Sequence, residues 1–455
     1  MEGTFKDYLA PATRAHLIGI GGVSMSALAQ VLASRGITVT GSDSNRSAAV
    51  IKLESLGIKV SIGHKAENAD ECDCIVRTAA VKDDNTEVIR AKERGVPVFE
   101  RAEAWGELMK EYRHALCVAG THGKTTTSSM CAQIYMEAGL DPTVMIGGRL
   151  PLLDSGYRVG GGDTIIAESC EYCNSFHKFF PTTAIINNVE SDHLDFFKDL
   201  EDIKSSFVTF ANLVPEGGNI IVNADDDGAA DVARRLGGKA VTFAFEKDAR
   251  IKGENLVFNK GRASFDVTVD GKLYAQIELS VPGRHNAYNA LAACAACAVL
   301  GVDSGAVERA LFAFGGADRR LQYKGKCNGA DVYDDYAHHP GELKALLDTV
   351  KQMGYERIIC VFQPHTYTRT KALFDEFVIQ LRRADLCVLA EIYAAREQNR
   401  VGISSADLGW QIKNSKYLPE FAQIEEFLRK ESRPGDIILT VGAGNIYLVG
   451  ENVCN

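Results

Sequence analysis

Gly120-Thr-His-Gly-Lys-Thr-Thr-Thr127 has the residue types and spacing of a cradle for an anion. It follows Ala115-Leu-Cys-Val-Ala119, a short apolar run of strand type, and leads into a helix-compatible stretch from Thr125 to Ala138 that Gly139 ends. A strand, a glycine-flanked turn and a helix start aim successive backbone N–H groups and the positive end of a helix dipole at one point. Gly120, Thr121, His122, Gly123 and Thr126 would form that wall. Lys124 would reach the β- and γ-phosphates of a nucleoside triphosphate, and the Thr125 hydroxyl could hold Mg²⁺. The position six before Lys124 is Val118, where the full Walker pattern has glycine. Two more apolar runs end in polar groups: Thr164-Ile-Ile-Ala-Glu168, and Thr183 to Asn188, which leads on to Asp192 and His193. Ligands of open parallel sheets bind outside the carboxyl ends of the strands. Glu168, Asp192 and His193 are therefore expected near Thr125, where they could complete a Mg²⁺ shell with phosphate oxygens. For any one acid taken alone, solvent exposure or a helix cap is the competing reading.

The elements that must position these groups fall into three α/β blocks. The first, 1–112, opens with the strand Ala15 to Ile20, a loop at Gly21-Gly22-Val-Ser24 and a helix from Met25 to Arg35. Strands at Ile37–Thr40, Cys74–Thr78 and Val96–Phe99 give it a Rossmann-like order. The central block, 113–317, holds the phosphate loop on a parallel sheet. It carries a small antiparallel insert, Ala263–Val269 and Leu273–Leu279 joined by Asp270-Gly271, a strong hairpin signal. An Ala-rich helix from His285 to Leu300 closes it. The third block, 318–455, is again Rossmann-like, with strands at Arg357–Phe362, Leu386–Ala390 and Asp436–Val441. A length of 455 residues agrees with about three domains.

Composition excludes several classes. A net charge of −10 argues against a nucleic-acid binder, which should carry a basic face. No stretch approaches the about 18 apolar residues that span a bilayer, and the first residues lack the basic-then-apolar order of a signal peptide. A cytoplasmic protein is the expectation. Its 12 cysteines show no paired zinc-ligand spacing, and Cys294 and Cys297 alternate with alanines as small core residues. A dinucleotide site in the first block is a rival for Gly19 to Ser26, because Asp43 stands 24 residues after Gly19. The third fingerprint position is Ser24, and a dinucleotide enzyme would leave the phosphate loop unexplained.

The chain resembles the Mur ligase family. The resemblance rests on Gly120 to Thr125, Glu168 with Glu171, Asn188 to Asp195, Gly283-Arg-His-Asn-Ala-Tyr-Asn289, Arg319-Arg320, Asp334-Asp-Tyr-Ala-His-His-Pro340 and Gly442-Ala-Gly-Asn445. His16 to Ser26 and Gln363-Pro-His-Thr-Tyr-Thr-Arg-Thr370 narrow it further. It covers essentially the whole chain. It implies an ATP- and Mg²⁺-dependent ligase of peptidoglycan precursor synthesis, with UDP-N-acetylmuramate and L-alanine as partners and a monomer or weak homodimer as the working form. By the same resemblance Gly19, Gly21, Gly22, Ser24, Met25, Ser26 and Asp43 would hold the UDP portion. Thr125, Glu168 and His193 would be Mg²⁺ ligands. His285, Asn286 and Asn289 would lie on the adenine side, with Asp335 as the ribose acid and Arg320 near the transferred phosphate. Tyr336, His338, His365 and Arg369 would face the muramoyl carboxylate and the amino acid.

Lys124, His193, Arg320 and His338 are the implied catalytic set. Asp192, His193, His338 and His365 remain open as the base, His193 only if it does not bind metal. Exclusion of water from the activated intermediate suggests closure of the third block. Two departures stand out. Cys170 and Cys173 replace family aspartates, and Phe207 stands near the position where sister ligases carry a carbamoylated lysine; Lys204 comes too early. A ligase that adds a murein tripeptide to the same sugar nucleotide is the alternative within the class. A non-catalytic nucleotide sensor is the alternative outside it.

Overall fold

The computed structural model describes residues 4–78, 80–194, 196–395 and 397–454, so Asp195 of the quoted motif lies outside the described residues. Its chain contacts divide into two compact units. One comprises Met1–Asn255, Asp266–Ile277 and Tyr288–Phe312; the other comprises Leu256–Phe265, Glu278–Ala287 and Ala313–Asn455.

The first unit begins with β1 (Arg14–Ile18), β2 (Thr38–Asp43), β3 (Lys59–Ile62), β4 (Cys74–Arg77) and β5 (Val98–Glu100). They form a parallel sheet in the order β3-β2-β1-β4-β5. Ala15 to Ile18 are buried in succession, as in a strand covered on both faces. The strand β2 runs three residues further than Thr40, through Gly41 and Ser42 to Asp43. Gly41 serves close approach: a Cβ would lie 2.7 Å from the Leu17 carbonyl and 2.5 Å from the Ile20 side chain.

A ten-stranded sheet follows. Its strands are β6 (His114–Ala119), β7 (Thr143–Leu150), β8 (Ser155–Arg158), β9 (Thr164–Glu168), β10 (Thr183–Ile186), β11 (Asn219–Asn223), β12 (Ala240–Ala244), β13 (Ile251–Asn259), β14 (Arg262–Val269) and β15 (Lys272–Pro282). The order is β15-β14-β13-β12-β11-β10-β6-β9-β7-β8. The central strand β6 lies between β9 and β10, parallel to both, so three strand ends converge at the phosphate loop. Asp270 and Gly271, both at positive φ, join β14 to β15 as the hairpin signal requires.

Inside the first unit one apolar cluster runs from the first sheet to the second, taking in Leu17, Leu28, Trp105, Ala115, Phe176 and Phe207. Trp105 Nε1 donates to Ser24 Oγ at 3.1 Å, and Ser24 Oγ donates to Met145 Sδ at 3.2 Å, so a helix of the first sheet is tied to β7. No side chain fits at Gly106, because a Cβ there would overlap the Lys178 carbonyl.

The second unit holds β16 (Gln322–Cys327), β17 (Ala330–Asp335), β18 (Arg357–Phe362), β19 (Leu386–Leu389), β20 (Ser415–Tyr417) and β21 (Asp436–Val441), in the order β16-β17-β21-β18-β19-β20. Only β16 is antiparallel to its neighbour in this sheet. Along β18, Cys360 and Phe362 pack on one face with Leu347 and Phe377, while Ile359 and Val361 pack on the other with Ile424 and Leu428. Period-two alternation feeding two cores is what a sheet buried on both faces needs.

Candidate active site

Directly after β6 the chain bends at Gly120, with φ of 143°, and at Gly123, left-handed with φ of 80°, which caps the helix Lys124–Glu137. No side chain caps that helix. Its first-turn N–H groups have no partners within the helix, so they are suited to an anion. The segment after β10 braces the loop: Asn188 Oδ1 accepts from His122 N–H at 2.7 Å, and Asn188 Nδ2 donates to the His122 carbonyl at 3.2 Å. Thr121 Oγ1 accepts from Glu190 N–H at 2.9 Å.

Lys124 Nζ donates to the carbonyls of Gly120 (2.5 Å) and Thr121 (3.1 Å) and to both Glu171 oxygens at 3.1 and 3.0 Å. Its enclosure would lower its pKa, but Glu171 foremost, with Cys170 and Glu168, reverses this and holds the ammonium above its ordinary value. Glu171 is 2% exposed. Glu171 Oε1, one of the two oxygens that bond Lys124, also lies 3.8 Å from His193 Nε2, which is 3.8 Å from Asp192. The Tyr172 ring lies over the His193 ring at 4.7 Å.

Thr125 Oγ1 donates to Glu168 Oε2 at 2.9 Å, and Gly147 N–H donates to the same oxygen at 2.7 Å. A hydroxyl and a carboxylate meeting at this distance are hard oxygen donors of the kind Mg²⁺ takes. Among the described residues no three His, Cys, Asp or Glu side chains are grouped so as to hold a metal ion. The Thr125–Glu168 pair thus fits a cation that draws its remaining ligands from phosphate and water. Of the other residues expected there, His193 is placed beside Glu171 and Asp192.

The glycine loop of the first block starts at Gly19, with φ of 78°, and ends at Gly22, which caps the helix Val23–Ser34 without a side-chain bond. Asp43, at the end of β2, accepts from Gly21 N–H at 2.9 Å and Asn45 N–H at 3.1 Å. Met25 and Ser26 are buried at 1% and 3% exposure, and the Ser26 hydroxyl bonds back to the Val23 carbonyl. The Ser42 carbonyl accepts from Gly19 and Ile20, and its hydroxyl donates to the fully buried Glu87 at 2.7 Å. Asn68 Nδ2 donates to Glu87 at 2.5 Å, and His64 Nδ1 lies 3.3 Å from it.

In the helix Arg284–Val299, Asn286 Nδ2 donates to the Pro282 carbonyl at 2.7 Å. A Cβ at Gly283 would lie 2.6 Å from the His285 ring. Asn289 turns to the phosphate-loop helix, where its Oδ1 accepts from Thr127 Oγ1 at 3.3 Å.

The second unit gathers its own polar cluster. Asp335, at the end of β17, accepts from Leu321 N–H at 2.7 Å and Ala337 N–H at 2.8 Å. Although part of its surface is open, enclosure by protein raises its pKa to about 6 against the pull of Arg320 and those N–H groups. Arg320 lies 5.5 Å from the Tyr336 ring centre and 4.0 Å from Glu342. His338 Nδ1 is 3.0 Å from the Tyr336 carbonyl and 3.3 Å from Glu342, and its ring is 6.0 Å from that of His365. Enclosure lowers the pKa of His338 despite Glu342. Enclosure, His338 and Arg369 lower that of His365 to about 4, so its neutral ring can accept from Arg369 Nη1 at 3.3 Å.

Sequence reasoning left out the placement of Glu171 on Lys124, and also Glu342, Glu87, Thr127 and Asn187. Glu342 had a readable signal: His-Pro followed by Glu at the third helical position is a capping box, and Glu342 accepts from His339 N–H at 3.2 Å. The others show no local pattern, because their partners stand tens of residues away.

A phosphate loop on a parallel sheet, a glycine loop on a second sheet and a third α/β sheet define a multidomain nucleotide-binding protein of the α/β class. The chain belongs to the Mur ligase family. Three family models cover it: "Mur ligase family, catalytic domain" over residues 14–113, "Mur ligase middle domain" over 118–297, and "Mur ligase, glutamate ligase domain" over 319–444. It is 43% identical over 442 residues to a UDP-N-acetylmuramate–L-alanine ligase of Clostridium novyi, covering 96% of each chain. It is 45% identical over 444 residues to the enzyme of that name from Agathobacter rectalis, covering 96% of this chain and 97% of the other. The crystal structure of the UDP-N-acetylmuramate–alanine ligase of Thermotoga maritima superposes with a TM-score of 0.82 at 30% identity, covering 97% and 98% of the two chains. No helix among the described residues is long and apolar enough to cross a membrane.

Proposed function

We propose that this chain joins L-alanine to the lactyl carboxylate of UDP-N-acetylmuramate at the expense of ATP, releasing ADP and phosphate, in the cytoplasmic synthesis of peptidoglycan precursors. The full-length likeness to ligases of that name carries the reading. The phosphate loop, with Lys124 charged at its mouth, supports it. We retain 1–112, 113–317 and 318–455 as the sugar-nucleotide, ATP and amino-acid blocks, and a monomer or weak homodimer as the working form.

A carboxylate is a poor electrophile and must first be activated. Its oxygen attacks the γ-phosphorus of ATP, the bond to the β-phosphate oxygen breaks, and ADP leaves an acyl phosphate behind. The loop Gly120 to Thr126 cradles the phosphates, with the backbone N–H groups of Gly123 to Thr126 as donors, while Lys124 and Arg320 stabilise the charge that builds on the transferred group. Thr125 and Glu168 would hold Mg²⁺, with His193 as a further ligand, and the ion when bound neutralises phosphate charge. The amine of L-alanine then attacks the acyl carbon. The tetrahedral adduct collapses to an amide, phosphate departs, and the ammonium proton passes to a base. Gly19 to Ser26 and Asp43 bind the UDP portion, and His285, Asn286 and Asp335 serve the nucleoside of ATP. Tyr336, His338, His365 and Arg369 orient carboxylate and amine. With His365 neutral, its ring acts as a hydrogen-bonding group and not as a cation.

Phosphate release from ATP and Mg²⁺ with UDP-N-acetylmuramate tests this, with L-alanine in one reaction and the murein tripeptide in another. Release with L-alanine is expected. Release with the tripeptide alone would replace the reading by the recycling ligase, and none in either would make the chain a nucleotide-binding protein without turnover. The pocket's preference for alanine over glycine rests on one methyl group, worth about 1–3 kcal/mol, so slow turnover of glycine is expected.

A further inference from the structure

Beneath the phosphate loop, three buried polar side chains from three separate elements are joined in a row. Asn187 Nδ2, just after β10, donates to Thr127 Oγ1 at 3.0 Å, and Thr127 Oγ1 donates to Asn289 Oδ1 at 3.3 Å. Thr127 is 0%, Asn187 4% and Asn289 6% exposed. The hydroxyl has one hydrogen, and donating it to Asn289 leaves lone pairs for Asn187, so the direction of the chain follows from the donors and acceptors present. Asn187 Oδ1 has no hydrogen-bond partner among the described residues, so donation to Thr127 is the side-chain bond recorded for this buried amide.

The far side of this row abuts the loop. A Cβ on Gly123 would overlap Asn289 Oδ1 and come within 3.2 Å of Asn187 Nδ2, and Thr127 N–H bonds to the Gly123 carbonyl at 2.9 Å. Both amides are thus pressed against the residue that turns the chain into the helix, where no side-chain cap fixes it. The geometry points to Thr127 as a positioning residue: with Asn187 and Asn289 it forms a strut that sets Gly123, and hence the N–H groups of Gly123 to Thr125, in the orientation that receives phosphate. This rests on the reading of the loop as the ATP phosphate site. It gives Asn289 a role toward the phosphates that is separate from any contact with adenine.

Replacement of Thr127 by valine keeps the shape and removes the hydroxyl to which both buried amides bond. Losing such a partner costs about ten- to a hundredfold in an equilibrium that depends on it. The probe is inorganic tripolyphosphate, which has no base or ribose, titrated calorimetrically with Mg²⁺ into the full-length protein and compared with UDP-N-acetylmuramate. For Thr127→Val, tripolyphosphate affinity is expected to fall by about that factor while sugar-nucleotide affinity stays within about twofold, and Thr127→Ser is expected to restore the loss. Equal tripolyphosphate affinity in Thr127→Val and wild type overturns the strut. So does a parallel loss for the sugar nucleotide, which marks general destabilisation. Should the valine variant not fold, Asn289→Ser carries the same reading: unchanged tripolyphosphate affinity places Asn289 with adenine alone and overturns the proposal. A wild-type protein that binds neither tripolyphosphate nor ATP would instead overturn the ATP-site reading beneath it.

Discussion

Glu171 sets the state of Lys124. A buried ammonium is tolerable only with a partner, and both oxygens of Glu171 supply it at 3.0–3.1 Å. In Glu171→Gln the cation keeps two carbonyls and loses its nearest counter-charge, so the ligand-free protein should lose about 1–3 kcal/mol. Nucleotide phosphate can replace the missing charge, so ATP should raise the melting temperature of the variant more than that of wild type. An equal or smaller increment would mean that phosphate does not meet Lys124. Asp335 yields a second test. Its folded pKa is raised from 3.8 to about 6, so the ionised form is disfavoured by folding, and the stability contributed by its protonated form is lost as pH rises through about 6. If ribose binding needs the carboxylate, kcat/KM for ATP should fall as pH drops below about 6, and Asp335→Asn should remove that limb. A limb that persists in the variant would assign it to another group.

At the scale of elements, the glycine loop depends on a carboxylate that never meets it. Glu87, in the first turn of the helix Thr86–Glu93, ties Ser42 on β2 to Asn68 and His64, and Ser42 in turn holds Gly19 and Ile20 by its carbonyl. Burial would raise the pKa of Glu87, yet His16, whose Nε2 lies 3.8 Å away, and the hydrogen bonds from Asn68 and Ser42 bring it from 4.5 down to about 2. A depressed carboxylate contributes stability above its unfolded pKa and loses it as pH falls through the folded one. The window is thus pH 4.5 to 2, with an upper bound of about 3 kcal/mol. Urea unfolding should show wild type losing stability across that window, while Glu87→Gln, weaker at pH 7, changes less. Parallel curves would sink this account.

How far such elements were legible follows from what each element needs. Continuous apolar runs, such as Thr164–Glu168 and Arg357–Phe362, were readable to the residue, and so were the turns at Gly123 and Asp270-Gly271. The short strands β3, β8, β12 and β20 were not, because pairing with a neighbour, and not their own composition, makes them strands. For the same reason Lys124 and Thr125 could be read from local spacing, whereas the Glu171 and Thr127 contacts depend on how distant segments meet.

For the whole molecule, separate apolar clusters in the two units predict thermal unfolding that is not a single two-state transition. The glycine loop and phosphate loop share the first unit, where one apolar cluster runs from the first sheet to the second, so sugar nucleotide and tripolyphosphate should each shift the same calorimetric transition. Each should stabilise by about 2.7 kcal/mol when present at a hundredfold over its Kd. Two different transitions moved by the two ligands would contradict a common core.

The cysteines have a practical consequence. None of the 12 is in a disulfide; nine are buried, Cys170 and Cys454 are half-buried with thiols pushed up by burial, and Cys173 is exposed. Thiol reagents attack the thiolate form that solvent can reach. A maleimide dye added to the unmodified protein should therefore settle on Cys173, two residues from the carboxylate that grips Lys124. The fold supplies its own reporter position, from which nucleotide arrival could be followed as a change in fluorescence.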